Sequence, residues 1–297
     1  MAEILLLMLA LVWGTSYGVT KQALLWFPLL GFLTLRFALT FLLLAPALWS
    51  ALKNDRRDCL QAGLPLGVLL WAIFVCETKG VALTSAANAA FLISLCIVLT
   101  PWLEWAFTRR RPDAGMALAA LVCCLGTFLL VGGGLGFGAG DAWMLAAAIL
   151  RALMVCLSQR LLSGSRLSLL AVTGLQTGVP ACLCALLWWC EGKPLPALPA
   201  NPGFWLALAY LVLFCTLFAF FVQNWAVRRC SPSRVVVLTG SEPLFGALFA
   251  SAVLGEILSL QGAMGGGLIF LATLWVSLTG KAKAKPVSRA RPAVPEV

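Results

Sequence analysis

Two charged residues stand where charge is costly. Arg151 lies ten residues beyond Asp141, and Glu242 lies ten residues beyond Pro232, each inside a long apolar run. At about 1.5 Å per helical residue, each is roughly 15 Å into its run, near the middle of a hydrocarbon layer about 30 Å thick. A charge at that depth faces a cavity or a partner. In one arrangement Arg151 contacts a substrate carboxylate and Glu242 a substrate ammonium, which suits a zwitterionic amino acid. In the other the two neutralise each other as a structural pair. The residues alone leave both open.

Further groups could line the same cavity. Trp13 and Tyr17 are four apart and share a helix face. Trp71, Asn88, Phe91 and Asn224 are additional substrate-binding candidates, with Gln176 and Gln223 beside them; for each, ordinary packing explains the residue as well. Arg36 is five residues into its run, about 7.5 Å deep, from where it could snorkel outward. Glu104 falls near the inner edge of its run, and Glu77 and Lys79 near the outer edge of theirs. Pro243 removes a backbone donor beside Glu242, and Pro101 does the same in an earlier run. Each is a candidate hinge or a static kink. There is no His, and the 11 Cys form no CxxC pair and lie mostly in apolar runs. They are read as small buried hydrophobes, with no metal site and no cofactor expected. No GxxxxGK[ST] loop is present, so ATP hydrolysis through a P-loop is not expected.

The elements holding these residues follow from composition. Of 297 residues, 62% are hydrophobic and 11% charged, against about 45–50% and about 25% in soluble domains. Such an excess needs the bilayer as solvent. Ten runs approach the roughly 20 apolar residues of a membrane-spanning helix: 3–20, 31–50, 62–82, 84–107, 114–133, 142–162, 167–190, 204–226, 232–254 and 261–279. The first lacks a basic leader and a convincing cleavage site, and reads as a retained helix.

Charge orients the runs. With both termini cytoplasmic, 16 of the 21 Lys and Arg fall on cytoplasmic loops or the tail. Only Lys21, Lys79 and Lys193 fall on the other side, and Arg36 and Arg151 lie within runs. This asymmetry fixes the expected topology. It also explains the net charge of +10 without a nucleic-acid partner. The basic, proline-bearing tail 280–297 is expected to be disordered and could lie against anionic lipid.

The chain divides near Asp141 into halves of five runs, 3–133 and 141–279. Leu11-Val12-Trp13-Gly14 corresponds to Ile149-Leu150-Arg151-Ala152. With an odd number of spans in each, the second half is inverted relative to the first, a recurring transporter design. Gly63-xxx-Gly67, Gly174-xxx-Gly178 and Gly262-xxx-Gly266 allow close helix contact, within the chain or across a dimer seam.

Trp13-Gly14-Thr15-Ser16, Arg36, Ala82-Leu83-Thr84-Ser85-Ala86, Ser241-Glu242-Pro243 and Leu254-Gly255-Glu256 occur in that order. In this the chain resembles EamA-type members of the drug/metabolite transporter superfamily, over residues 3 to 279. The first half departs from the pattern, with Ile97 where the second half has Pro243, and Arg109-Arg110 where it has Gly255-Glu256. The resemblance implies an all-α integral membrane protein of ten transmembrane helices in two inverted five-helix repeats, with a central cavity and alternating access. Its expected function is secondary transport, as an exporter in the bacterial inner membrane, of small metabolites, amino acids or related compounds foremost. Coupling is to a solute gradient, or to protons if Glu242 titrates, and the chain works as monomer or homodimer. An integral membrane enzyme acting on lipid would need clustered carboxylates or a His base. Only Asp55 and Asp58 lie close together, in what reads as a solvated turn with Lys53, Arg56 and Arg57. A non-transporting interaction subunit would leave the midplane charges unexplained.

Overall fold

The structure is a computed structural model that describes residues 2–84, 86–109, 111, 113–131, 138–163, 165–192, 194, 197–254 and 259–279. Gly132–Phe137, Gly255-Glu256 and the basic tail lie outside the described residues. Every regular element among those described is helical. In chain order they are α1 (Ala2–Ala23), α2 (Leu29–Asn54), α3 (Arg56–Leu83), α4 (Ala86–Ser94), α5 (Cys96–Thr108), α6 (Ala114–Leu130), α7 (Ala139–Leu162), α8 (Leu169–Cys190), α9 (Pro202–Val227), α10 (Pro232–Thr239), α11 (Glu242–Leu254) and α12 (Leu260–Thr279). Single π turns interrupt α3 at Cys59–Gly63 and α9 at Leu213–Phe218.

All ten predicted runs are helical. Two of them, 84–107 and 232–254, are each split into a pair of helices. By length and composition eight helices can cross a membrane, one of them Phe91–Thr108 across the α4/α5 junction, and Ala114–Leu130 is a shorter apolar helix. Their outward faces fit that solvent. Leu42, Leu206 and Phe270 are more than half exposed, a surface that would aggregate in water and is stable against lipid tails.

α2 lies along α8 and α6 along α12, while α3 packs on α7 as α9 packs on α1. α1 crosses α10 and α11, and α7 crosses α4 and α5. The crossings are close where small residues permit it. A Cβ on Gly14 would sit 2.5 Å from the Glu242 carbonyl oxygen, and one on Gly126 would sit 2.7 Å from that of Gly265. The glycines of the first two GxxxG pairs are used within the chain: Gly63 and Gly67 meet Leu175 and Val179 of α8, and Gly174 and Gly178 meet Leu44 and Phe41 of α2.

The two ends of the bundle differ. At the cation-rich end, Arg234 Nη2 pairs with Glu3 Oε1 at 2.7 Å. Glu104 Oε2 accepts from the Ser233 amide at 3.0 Å and from the Ser233 hydroxyl. Gln159 Nε2 donates to the Cys230 carbonyl at 3.0 Å. Asp58 corrects the expectation of a merely solvated turn: its Oδ2 accepts from Arg166 N at 2.7 Å and Ser165 Oγ at 3.1 Å, tying the α2–α3 turn to the α7–α8 connection. At the opposite end Thr84 Oγ1 donates to Asp141 Oδ1 at 2.6 Å.

Candidate substrate cavity

Helical periodicity aims one stripe of each central helix at the axis of the bundle. On α1 the stripe is Trp13, Ser16, Tyr17 and Thr20; on α3 it is Leu70, Ile73, Phe74, Glu77 and Val81. These are three- and four-residue spacings, which keep side chains on one face. α7 adds Arg151 and Met154, α9 adds Phe220 and Gln223, and the break between α10 and α11 delivers Glu242. Together they enclose about 620 Å³, counting the open mouth. The stripe reaches Thr20 and Val81 near the cation-poor end.

Arg151 and Glu242 meet at its floor. Arg151 Nη2 lies 3.1 Å from Glu242 Oε2. Its Nη1 donates to the Tyr17 hydroxyl at 3.4 Å, and the guanidinium lies 4.5 Å from the centroid of the Trp13 ring. Glu242 Oε1 is buried and has no hydrogen-bond partner. As the first residue of α11, Glu242 also sits where the helix dipole favours an anion. A second cavity of about 420 Å³ continues on the cation-rich side, lined by Ile97, Val155, Val236 and Pro243. Trp13, Tyr17, Arg151, Gln223 and Glu242 border both cavities. The ion pair therefore stands between two hollows along one axis.

Arg36 does not snorkel outward. It is 4% exposed and points into the bundle. The π turn of α9 explains this. There Thr216 Oγ1 donates five residues back to the Leu211 carbonyl, and the widened turn presents side-chain and carbonyl oxygens to neighbouring helices. Arg36 Nε donates to Thr216 Oγ1 at 2.9 Å and Nη2 to the Cys215 carbonyl at 3.4 Å. Trp13 Nε1 donates to that same carbonyl at 3.1 Å. The guanidinium also lies 4.9 Å from the Phe74 ring centroid, and Arg36 lines the first cavity.

Glu77 also differs from its expected role at an edge. It lies close to the end of α3 but faces the first cavity. The signal in the sequence was its spacing from Phe74 and Ile73, which places all three on one face.

Other candidates are elsewhere. Asn224 is 1% exposed and clamped to α8: its Nδ2 donates to Gln176 Oε1 at 2.7 Å and Thr173 Oγ1 at 3.2 Å. Phe91 packs on Phe128 with ring centroids 5.4 Å apart. Trp71 is one turn beyond Gly67, on the face of α3 that meets α8. None of these three borders either cavity. The side chain of Asn88 lies outside the described residues. Pro243 occupies the first turn of α11, just after the chain breaks at Gly240 and Ser241, and borders the second cavity. Pro101 is different. α5 runs through it, and the interruption falls at Leu95. Among the described residues no three His, Cys, Asp or Glu side chains cluster as a metal site.

The sequence model of the EamA-like transporter family matches residues 1–132 and 138–278. The chain belongs to the EamA-like transporter family. An uncharacterized transporter of Archaeoglobus fulgidus is 28% identical over 280 residues, covering 93% of this chain and 86% of the other. The uncharacterized inner membrane transporter YedA of Escherichia coli K12 is 28% identical over 294 residues, with 94% and 92% covered. A solved structure titled only as the crystal structure of a protein superposes with a TM-score of 0.73 at 19% identity, over 95% of this chain and 98% of that one. That likeness shows a shared fold. The family makes this a multi-pass membrane protein of transporter type.

Proposed function

We propose that this EamA-family chain is a secondary transporter that exports small zwitterionic metabolites, amino acids or related compounds foremost, by alternating access between two inverted five-helix repeats. The observation carrying the reading is the Arg151–Glu242 pair, 3.1 Å apart, with a hollow on each side of it. A substrate moving along that axis must pass the pair, and its own charges can replace the partners that separate as it does so. The division of the family match at residues 132 and 138 and the pairing of equivalent helices support the repeat, and the ten helical runs support ten spans. The cation-rich end is the cytoplasmic end by the charge rule, which puts both termini there. The hydrogen bonds of Glu104, Gln159 and Arg234 hold that end closed in this conformation, and separation of α10 from α5 and α7, with Pro243 at the break as hinge, would open it.

The test is reconstitution of Arg151→Leu, Glu242→Leu and the double variant in proteoliposomes, with counterflow of labelled amino acids, nucleobases and cationic drugs. Each single variant is expected to lose transport, and the double variant to fold without transporting. Normal transport by the double variant would refute a substrate-contacting role for the pair.

A further inference from the structure

The cavity holds four charges, and only two of them satisfy each other. Arg151 and Glu242 form an ion pair. Arg36 and Glu77 line the same space, and neither makes an ion pair with any described residue. Arg36 is anchored through Nε and Nη2, while its Nη1 donates to no acceptor among the described residues. Glu77 accepts no hydrogen bond from the described residues. Both are placed around one aromatic ring. The Arg36 guanidinium lies over Phe74 at 4.9 Å, and Glu77 follows Phe74 by three residues on the same face of α3. A cation and an anion thus flank Phe74 with no ion pair between them among the described residues, in a cavity whose remaining wall is largely aromatic and apolar.

Charges left in such a place are costly unless something completes them. A lone anion would satisfy Arg36 and leave Glu77 repelled, and a lone cation would do the reverse. A ligand bearing both charges side by side completes both and adds no net charge. Resting on the transporter reading above, we infer that Arg36 and Glu77 are the charge-reading pair of the substrate site: Arg36 Nη1 takes the carboxylate and Glu77 the ammonium of a zwitterion. Trp13, Phe74, Met154 and Phe220 form an apolar wall that favours an aromatic or large apolar side group. Arg151 and Glu242, already joined to each other, form the floor that this ligand must part in order to cross.

Three probes separate the charges: L-phenylalanine, 3-phenylpropionate without the ammonium, and phenethylamine without the carboxylate. Calorimetric binding to the full-length protein in detergent is expected to rank phenylalanine first. Arg36→Gln should weaken phenylalanine and phenylpropionate by roughly ten- to a hundredfold, the worth of a charged hydrogen bond, and leave phenethylamine within about twofold. Glu77→Gln should weaken phenylalanine and phenethylamine similarly and spare phenylpropionate. Arg36→Lys, which keeps the charge, should recover part of the carboxylate preference. Unchanged ranking in both variants, or equal weakening of all three probes, would overturn the assignment. If the wild type transports other solutes but binds none of the probes, the assignment falls and the transporter reading stands. If it binds the probes with this ranking but moves no solute, the transporter reading falls alone.

Discussion

The two split helices occupy equivalent places in the two halves of the chain and differ in what the split carries. In the first half α4 gives way to α5 at Leu95, where the Leu95 amide reaches back three residues to the Leu92 carbonyl at 3.2 Å. The residues flanking it, Ser94 and Cys96, bring no charge to the axis. In the second half α10 ends at Thr239 and α11 begins with Glu242 and Pro243. There the free Gly240 carbonyl accepts from Cys123 Sγ at 3.4 Å, and a carboxylate enters the centre of the bundle. Similar interruptions therefore do unlike jobs: one bends a wall, the other sets an ion pair. The halves are balanced by other means. The first contributes Arg36 and Glu77, the second Arg151 and Glu242, so each brings one cation and one anion to the cavity.

The sharpest way to break this asymmetry is to remove its charge. Glu242→Leu strands Arg151 in the interior and is expected to lower stability by about 3–5 kcal/mol, read as thermal unfolding in detergent. The Arg151→Leu/Glu242→Leu double variant should recover most of that loss. Next in size is the crossing that supports the second split. Gly14→Val places carbon against the Glu242 carbonyl and the Gly246 amide, 2.5 and 2.8 Å from the added Cβ, and should cost about 1–3 kcal/mol. Ala152→Gly, at the corresponding position of α7, should cost only about 1 kcal/mol. A melting comparison of the two reports whether the crossings are equally tight.

Smaller still is the tie between the two split helices at the cation-rich end. Ser233→Ala removes the hydroxyl donor to Glu104 and leaves the amide contact, and a loss of about 1 kcal/mol is expected. Combined with Glu104→Gln in a double-mutant cycle, the two losses should be non-additive; additivity would mean that Glu104 and Ser233 act independently. The smallest effect is expected far from both splits. Asn224→Leu with Gln176→Leu removes a buried amide pair whose interhelical bonds are worth about 0.6 kcal/mol each in membrane proteins. It should leave the KM of transport unchanged, and a raised KM would return Asn224 to the substrate site.

Much of this architecture was legible in the chain. The apolar runs coincide with helices among the described residues, because length and hydropathy alone decide where a helix can sit in lipid. Arg151 and Glu242 were found by depth, and their partners Trp13 and Tyr17 by four-residue spacing. Depth failed for Arg36 and Glu77. Both lie within two to three turns of a helix end, where either direction is sterically open. The choice for Arg36 depends on a π turn in α9, more than 170 residues away, that no local pattern announces. Residue type did not separate Trp71, Phe91 and Asn224, which border neither cavity, from the lining, since the groups that line a cavity also pack helices together. Pro101 does not coincide with the helix interruption, which falls six residues earlier, at Leu95.

Trp13 and Arg151 meet face to face at the axis, 4.5 Å from guanidinium to ring centroid. The carbonyl of Cys215 ties that meeting point to the level above. It accepts from Trp13 at 3.1 Å and from Arg36 at 3.4 Å. One oxygen is thus shared between the guanidinium lining the outer hollow and the indole lying against Arg151. A carbonyl oxygen carries two lone pairs and can hold both donors at once, so the two levels of the axis are braced on one backbone atom.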